Sequence, residues 1–398
     1  MSRRAAAVVV GGGIGGLAAA IALARGGHGV TILERRIAPS EGAASEEGAG
    51  IQIGPNGTRL LVSLGVADVL APLAASPRAV EVRDGLSGRH IVSLPLGAWI
   101  AARHGAPYWT AHRAHLHGAL AATAAAMPGV EVVRGVTVTG LDAAGPQVAA
   151  VGAEGPRARG ELVIAADGRG SRLRSDVAAG ADLRFAGKTA ARSVLPAAAV
   201  SSVAADVVGL WLAPAAHVVH YPVDAGRQIA LVVVTSAREH SEAWGAPVAA
   251  DVMMQGVARL ARPVRDLVEA AGDRFRAWSL MDLGRPVPMA RGRVALLGDA
   301  AHPILPFLAQ GAVLAIEDAV VLAGLLHTNT GPVECVLGAY ASARRERVEA
   351  VARAARRNGA AYHLGGALGA ARNAAMALAG GERLMAAYDW LYGWRPPA

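Results

Sequence analysis

The sequence predicts an α/β fold in which a parallel sheet is visited three times, with an antiparallel sheet inserted between the visits. Three observations carry that reading. A valine-rich run, Ala5–Val10, leads through a cluster of glycines into a helical pattern ending at Arg25, then into a second short strand, Val30–Leu33. That is the order of a β-α-β unit with parallel pairing. Two later apolar strands end on turn dipeptides, Leu162–Ala166 on Asp167-Gly168 and Val294–Leu297 on Gly298-Asp299. Between them, Val207–Leu212, Val218–Pro222 and Ile229–Thr235 are strands joined by short turns, the spacing of an antiparallel sheet.

The remaining elements follow in order. Thr58–Leu70 and His112–Met127 have helical patterns, and Val80–Arg83 and His90–Leu94 are strands around a glycine-containing turn. Asp251–Ala271 returns to helix, and everything after Gly311 is helical. This divides the chain into a nucleotide-binding domain at 1–75, 108–184 and 286–330, a second domain at 76–107 and 185–285, and a C-terminal helical region at 331–398.

Composition sets limits. At 398 residues, with 53% apolar and 18% charged, the chain can bury a large core and is not disordered. Of its 39 basic residues only Lys188 is a lysine, and the net charge is +8. No basic stripe interleaved with aromatics points to nucleic acid, so the charge is read as attracting anionic cofactors and carboxylated substrates. Cys335 is the only cysteine, which excludes an internal disulfide. Beside Val336 and Leu337 it is expected to be buried, and a lone thiol fits a reducing cytoplasm. Arg3 and Arg4 before an apolar run to Ala24 imitate a signal or membrane segment, but five glycines interrupt the run. We expect a soluble, cytoplasmic protein with no membrane partner.

The glycines have a better explanation. Gly11-Gly12-Gly13-Ile14-Gly15-Gly16 is a GxGxxG between strand and helix. Gly11 allows the tight turn, Gly13 lets a pyrophosphate approach the backbone, and Gly16 permits close helix–strand packing. Ile14 and Gly15 open the helix, whose free N–H groups and dipole favour phosphate. Glu34, with Arg35 after it, ends the second strand where an acid would accept hydrogen bonds from a ribose. This fingerprint alone does not distinguish FAD from NAD.

Two further segments do. Glu161–Arg174, ELVIAADGRGSRLR, is a buried strand delivering Asp167-Gly168. Arg293–Ala319, RVALLGDAAHPILPFLAQGAVLAIEDA, is a strand delivering Asp299, a proline-rich turn and a helix from Gly311. With GAGIQIGPN (Gly48–Asn56), HRAHLH (His112–His117) and YDWLYGW (Tyr388–Trp394), these segments resemble the flavoprotein aromatic hydroxylases related to para-hydroxybenzoate hydroxylase. Salicylate and 3-hydroxybenzoate hydroxylases and 6-hydroxynicotinate monooxygenases are the members most alike.

The resemblance implies a Rossmann-like FAD-binding domain, an inserted antiparallel-sheet substrate domain, non-covalent FAD, and a small phenolic or hydroxybenzoate-type substrate hydroxylated with O2. Asp299 would hydrogen-bond the FAD ribityl chain and Arg113 would contact its phosphates. Asp167 and Gly168 would serve both FAD and a transient NADH or NADPH, since no second fingerprint is present. A homodimer is common among similar proteins, and the sequence leaves the oligomeric state open. Physical logic agrees: a helix N-terminus at Gly311–Ala312, held by Pro303 and Pro306, would direct N–H groups at the negative charge of a reduced flavin.

For the substrate, His217, Val219 and Tyr221 alternate along one strand and share a face. His217 as base and Tyr221 as orienting donor form the catalytic reading, and a rim histidine beside a sheet aromatic is the competing one. Gln52 and Trp211 are further pocket candidates, Arg192 and Arg83 are guesses for a carboxylate anchor, and His220 is structural. His302 sits in the turn. Arg344, Arg345, Arg347, Arg353, Arg356 and Arg357 read as a solvated helix face, and Glu317 with Asp318 has no histidine within a helical turn to complete a metal site, so no metal is expected. The rival readings are an epoxidase or polyene reductase on the same fold, and a flavin-binding redox sensor without turnover.

Overall fold

The computed structural model describes residues 5–37, 50–241 and 245–397; Arg3, Arg4, Gly48 and Ala49 lie outside them. A six-stranded sheet runs in the order Ala290–Arg291, Val294–Leu296, Leu162–Ala165, Ala6–Val10, Gly29–Glu34, Val130–Arg134. Its central pairs are parallel, with Val8 opposite both Val163 and Thr31, and Ile164 opposite Ala295. Apolar residues run nearly continuously along these strands because helices cover both faces. The parallel register has a functional consequence. The carboxyl ends of three strands bring Gly11, Asp167 and Asp299 to one edge of the sheet.

Glycine permits the packing there. A Cβ on Gly16 would run into the Gly11 carbonyl oxygen, and one on Gly15 would stand 2.7 Å from Leu297 Cδ2. The helix Ile14–Arg25 can therefore lie close to the sheet and to the helix Gly311–Thr328. That second helix is long and apolar enough to cross a bilayer, yet it is packed inside the protein, and its Glu317 and Asp318 are fully buried.

An eight-stranded sheet runs Ala246–Val248, Phe275–Asp282, Arg184–Pro196, Gln228–Ser236, Ala216–Val223, Val208–Ala213, Ala79–Asp84, His90–Pro95. Every pair is antiparallel except Val208–Ala213 with Ala79–Asp84. The early strands at 79–95 thus join a sheet whose other members begin only at Arg184. One face buries Trp211, Val218, Leu231 and Val233 against Val264, Leu267 and Val268 of the helix Arg262–Ala271.

Several local expectations are corrected. The helix foreseen over 58–70 is two, Pro55–Ser63 and Ala67–Leu70, broken at Gly65 with φ +74°. The one foreseen over 251–271 is also two, Ala250–Val257 and Arg262–Ala271, the second starting on Pro263 at its first turn. His112 ends a strand, and its ring caps the helix Arg113–Ala125 by accepting from Ala114 N. A three-stranded sheet of Val138–Asp142, Val148–Gly152 and Gly155–Gly160 was not foreseen. Cys335 is exposed, not buried. On the helix Val333–Tyr362 the buried stripe is Val333, Val336, Leu337 and Tyr340, the i, i+3, i+4, i+7 spacing that leaves position 335 outside.

The arginine cluster is the largest correction. Arg345, Arg353, Arg356 and Arg357 are exposed, but Arg344 and Arg347 continue the buried stripe at 1% and 8% exposure. Arg344 donates to Asp318 Oδ1 at 2.7 Å and to Glu317 Oε2 at 2.9 Å, and Arg347 donates to Glu317 Oε1 at 2.7 Å. Both guanidinium groups stack over Trp394 at 5.2 Å. Asp318 also accepts from His302 Nε2 at 2.6 Å and from Gly298 N at 2.9 Å. The two acids are therefore counter-ions that fix the proline-rich turn to the helix behind it.

Candidate active site

Two adjoining cavities lie along the sheet edge. The first, about 350 Å³, is lined by Gly11, Gly13, Ile14, Glu34, Arg35, Arg113, Asp167 and Gly168. Glu34 accepts from Gly12 N at 2.6 Å and Arg36 N at 2.9 Å, so the acid is held at the glycine turn by that turn's own backbone. His117 Nε2, 2.8 Å from Gly12 O, ties the HRAHLH helix to the same loop.

The second cavity, about 300 Å³, gathers residues from both domains. Gly13, Ile14, Gly15 and Gly168 stand on one side; Asp299, Pro306, Gly311 and Ala312 form the turn and helix start; Gln52, Arg192, His217 and Tyr221 come from the two smaller strands and the large sheet. Arg113, Ala166 and Gly168 line both cavities, which makes them continuous. Arg174 fastens the two turns together, donating to Ala300 O at 2.8 Å and Asp299 O at 3.0 Å.

The donor set fits an FAD. Nothing approaches within 4 Å of where a Cβ on Gly13 or Gly168 would be, leaving room for phosphate at the backbone. Neither the Ile14–Arg25 helix nor the Gly311–Thr328 helix has a side-chain cap, so their first N–H groups remain free for a ligand. Asp167 Oδ1 is buried without a partner. Burial raises the Asp167 pKa, outweighing hydrogen bonds from Ser171 and the following backbone. Asp299 Oδ1 lies 4.0 Å from a Cβ position on Gly311, so the carboxylate and the free helix end share one spot.

On the substrate side, a Cβ on Gly50 would come within 2.7 Å of Tyr221 Cε2; glycine there lets the strand Gly50–Ile53 lie against the tyrosine. Gln52 accepts from Tyr108 OH at 2.7 Å. Burial pushes Tyr221 up to about 12, although Arg192 and Gln52 pull the other way, so it stays an O–H donor at neutral pH. Burial, then the charges of His363 and Lys188, hold His217 well below the usual histidine value. Its Nδ1 is engaged by His363 at 2.8 Å, leaving Nε2 as the nitrogen available to the cavity. Arg192 stacks on Trp278 at 5.1 Å and has no carboxylate partner among the described residues. Burial lowers its pKa first, but a guanidinium stays charged at any working pH.

Trp211 does not belong to this cavity. It is opposite Val218 in the ladder, whereas His217 is opposite Leu212, and cross-strand partners share a face. Trp211 therefore lies with His220 on the far side, lining a separate hollow with Arg83 and Glu81. Arg83, paired with Glu81 at 2.9 Å, is excluded as an anchor for the same reason. Gly16 contributes packing and does not line either cavity. The sequence reading gave neither Lys188 nor His363 a place in the site; without the fold, nothing links them to His217.

The profile described as "FAD binding domain" matches residues 4–355. The chain is 31% identical to 3-hydroxybenzoate 6-hydroxylase of Klebsiella oxytoca over 99% of its length and 98% of the relative's. It is 36% identical to 3-amino-4-hydroxybenzoate 2-monooxygenase of Streptomyces cremeus over 89% and 87%. The crystal structure of Klebsiella pneumoniae HpxO complexed with FAD and uric acid superposes with a TM-score of 0.83 at 26% identity, covering 96% of this chain and 95% of that one. A glycine turn, two strand-end acids and an uncapped helix lining two adjoining cavities agree with that kinship, and the chain belongs to the FAD-binding-domain family that includes the flavoprotein aromatic hydroxylases.

Proposed function

We propose that the protein is an FAD-dependent monooxygenase hydroxylating a hydroxybenzoate-type phenol with NADH or NADPH and O2 in the cytoplasm. One observation carries the reading: residues of all three nucleotide motifs share a cavity with a neutral histidine, a tyrosine and an arginine that has no carboxylate partner among the described residues. Bound FAD, reduced by the nicotinamide, supplies the activated oxygen that reaches the ring.

The protein's residues bind, orient and move protons. Gly11, Gly13, Ile14, Gly15, Glu34, Arg35 and Arg113 hold the dinucleotide, and Asp299 takes the ribityl hydroxyls. The free N–H groups at Gly311 and Ala312 would stabilise negative charge on a bound flavin. Arg192 supplies the charge that a substrate carboxylate would pair with, and its planar fork suits a bidentate contact. Tyr221 donates to the phenol oxygen, and His217 Nε2 takes the phenol proton so that phenolate character activates the ring. Gln52, held by the Tyr108 hydroxyl, lines the same pocket.

The test is NADH and NADPH oxidation in air, with and without a panel of hydroxybenzoates, hydroxypyridines and plain phenols, with product mass recorded. An aromatic-dependent acceleration with a gain of one oxygen supports the reading. Oxidation indifferent to every aromatic would leave a flavin-binding redox protein.

A further inference from the structure

His217 is not the end of its own chain of hydrogen bonds. His217 Nδ1 is 2.8 Å from His363 Nε2, and His363 Nδ1 is 2.6 Å from Lys188 Nζ. Three distant segments converge to make it: the strand Ala216–Val223, the residue capping the helix Val333–Tyr362, and the strand Arg184–Pro196. Exposure rises along it, from His217 at 3% to His363 and Lys188, both half-buried. The rings of Phe307 and Tyr362 flank His217 at 5.5 and 5.3 Å, so its outward connection is through His363.

We propose that His363 and Lys188 form, with His217, a proton exit from the phenol oxygen to solvent. The proposal rests on the reading of His217 as the group that takes the phenol proton. The O–H bond breaks and its proton goes to His217 Nε2; the proton on His217 Nδ1 passes to His363 Nε2. The proton on His363 Nδ1 then bonds to the lone pair of a neutral Lys188, which becomes an ammonium and releases a proton to water. Phenol becomes phenolate, each imidazole ends neutral in its other tautomer, and no electrons are exchanged. Imidazole suits the middle positions because one nitrogen accepts while the other donates.

The electrostatics agree. Burial, with the neighbouring positive charges, keeps His217 below its usual value, and burial with Lys188 pushes His363 down to about 4. Burial lowers Lys188 as well. Facing this chain are Phe307 and Tyr362, the latter kept neutral by burial, and no carboxylate pairs with any of the three among the described residues. A proton is therefore not trapped on either ring. It runs to the group of highest intrinsic affinity, which is also the one nearest water. The identity of that group is informative. Every other long cation in the sequence is arginine, which stays protonated and could not receive a proton. The single lysine stands where reversible protonation is needed.

Because Lys188 is unique, holoenzyme labelled with ¹³Cε-lysine gives one resonance whose pH titration reads it directly. We expect a midpoint below the ordinary value of about 10.4. Hydroxylation of 3-hydroxybenzoate per bound FAD is then followed against pH for the parent, Lys188→Arg, Lys188→Met and His363→Gln. The parent should show a rising limb in kcat whose midpoint matches the lysine titration. Lys188→Arg, which keeps the charge but cannot accept a proton, should lose that limb and about 10-fold or more in kcat, with a smaller change in KM. A lysine midpoint at or above the ordinary value, or Lys188→Arg and His363→Gln profiles that coincide with the parent's, overturns the relay while the functional reading stands. If the parent hydroxylates neither 3-hydroxybenzoate nor any other phenol of the panel, the functional reading has failed and the relay falls with it.

Discussion

Two charged regions flank the proline-rich turn, one buried and one half-buried, and they treat their charges differently. Behind the turn, Arg344, Arg347, Glu317, Asp318 and His302 satisfy one another at 2.6–2.9 Å. In front of it, among the described residues, Arg192 has no carboxylate hydrogen-bond partner, Asp167 Oδ1 has no donor, and the helix start at Gly311 has no side-chain cap. Burying an unpaired charge or polar atom is costly. On the paired side the charges neutralise one another, with only Arg344 Nη1 and His302 Nδ1 of these groups left without a partner, whereas the unpaired side is complete only with an anionic ligand and a polar substrate in place. Pairing therefore separates the charges that hold the fold from those that serve the reaction.

Breaking the front side should have the larger effect on turnover. His217→Ala should lower hydroxylation by about 10²–10⁴-fold while FAD stays bound, and hydrogen peroxide released per NADH should rise. A parent-like rate and coupling in both His217→Ala and Tyr221→Phe would return the pair to the role of sheet residues. On the back side, Arg344→Leu leaves two carboxylates short of a partner, and should cost about 3–5 kcal/mol of stability in denaturant unfolding. A loss under about 1 kcal/mol would mean that Arg347 and His302 suffice to neutralise the pair.

Arg192→Ala should reduce kcat/KM for a carboxylated phenol by about 2–4 kcal/mol, roughly 30- to 1000-fold, and far less for the same phenol without its carboxylate. Equal losses for both would remove the anchor assignment. Asp299→Ala should weaken FAD retention by about 1.5–3 kcal/mol, read as flavin occupancy after dialysis. Trp211→Phe, on the far face, should change kcat/KM less than about twofold, since each 1.4 kcal/mol corresponds to tenfold and no pocket contact is lost.

The paired side also sets a pH window. Burial opposes the charge on Asp318, but His302 and Arg344 win and bring it down to about 2, below an unfolded value of about 3.9. Its stabilisation is present above about pH 4 and is lost as pH falls toward 2. Burial likewise opposes the charge on His302, and Asp318 raises its pKa; that contribution is present below about 6.5 and is lost as pH rises through the folded value. The cluster should hold best between about pH 4 and 6.5. Tm measured across pH 3–9 should show the alkaline slope shrink in His302→Gln.

The sequence by itself determined the parallel sheet, the glycine turn, the strand-end acids and the helix start at Gly311, because each depends on local periodicity and backbone need. It also put His217 and Tyr221 on one face, since alternation along a strand is a property of the strand alone. Only the tertiary structure decided the rest. The face on which Trp211 lies depends on its register with Val218, and the fate of Arg344 depends on acids contributed by another helix. The chain from His217 to His363 and Lys188 joins residues up to 175 positions apart. Charge and chemistry are legible residue by residue, but pairing is a relation between surfaces, and surfaces meet only when the chain has folded.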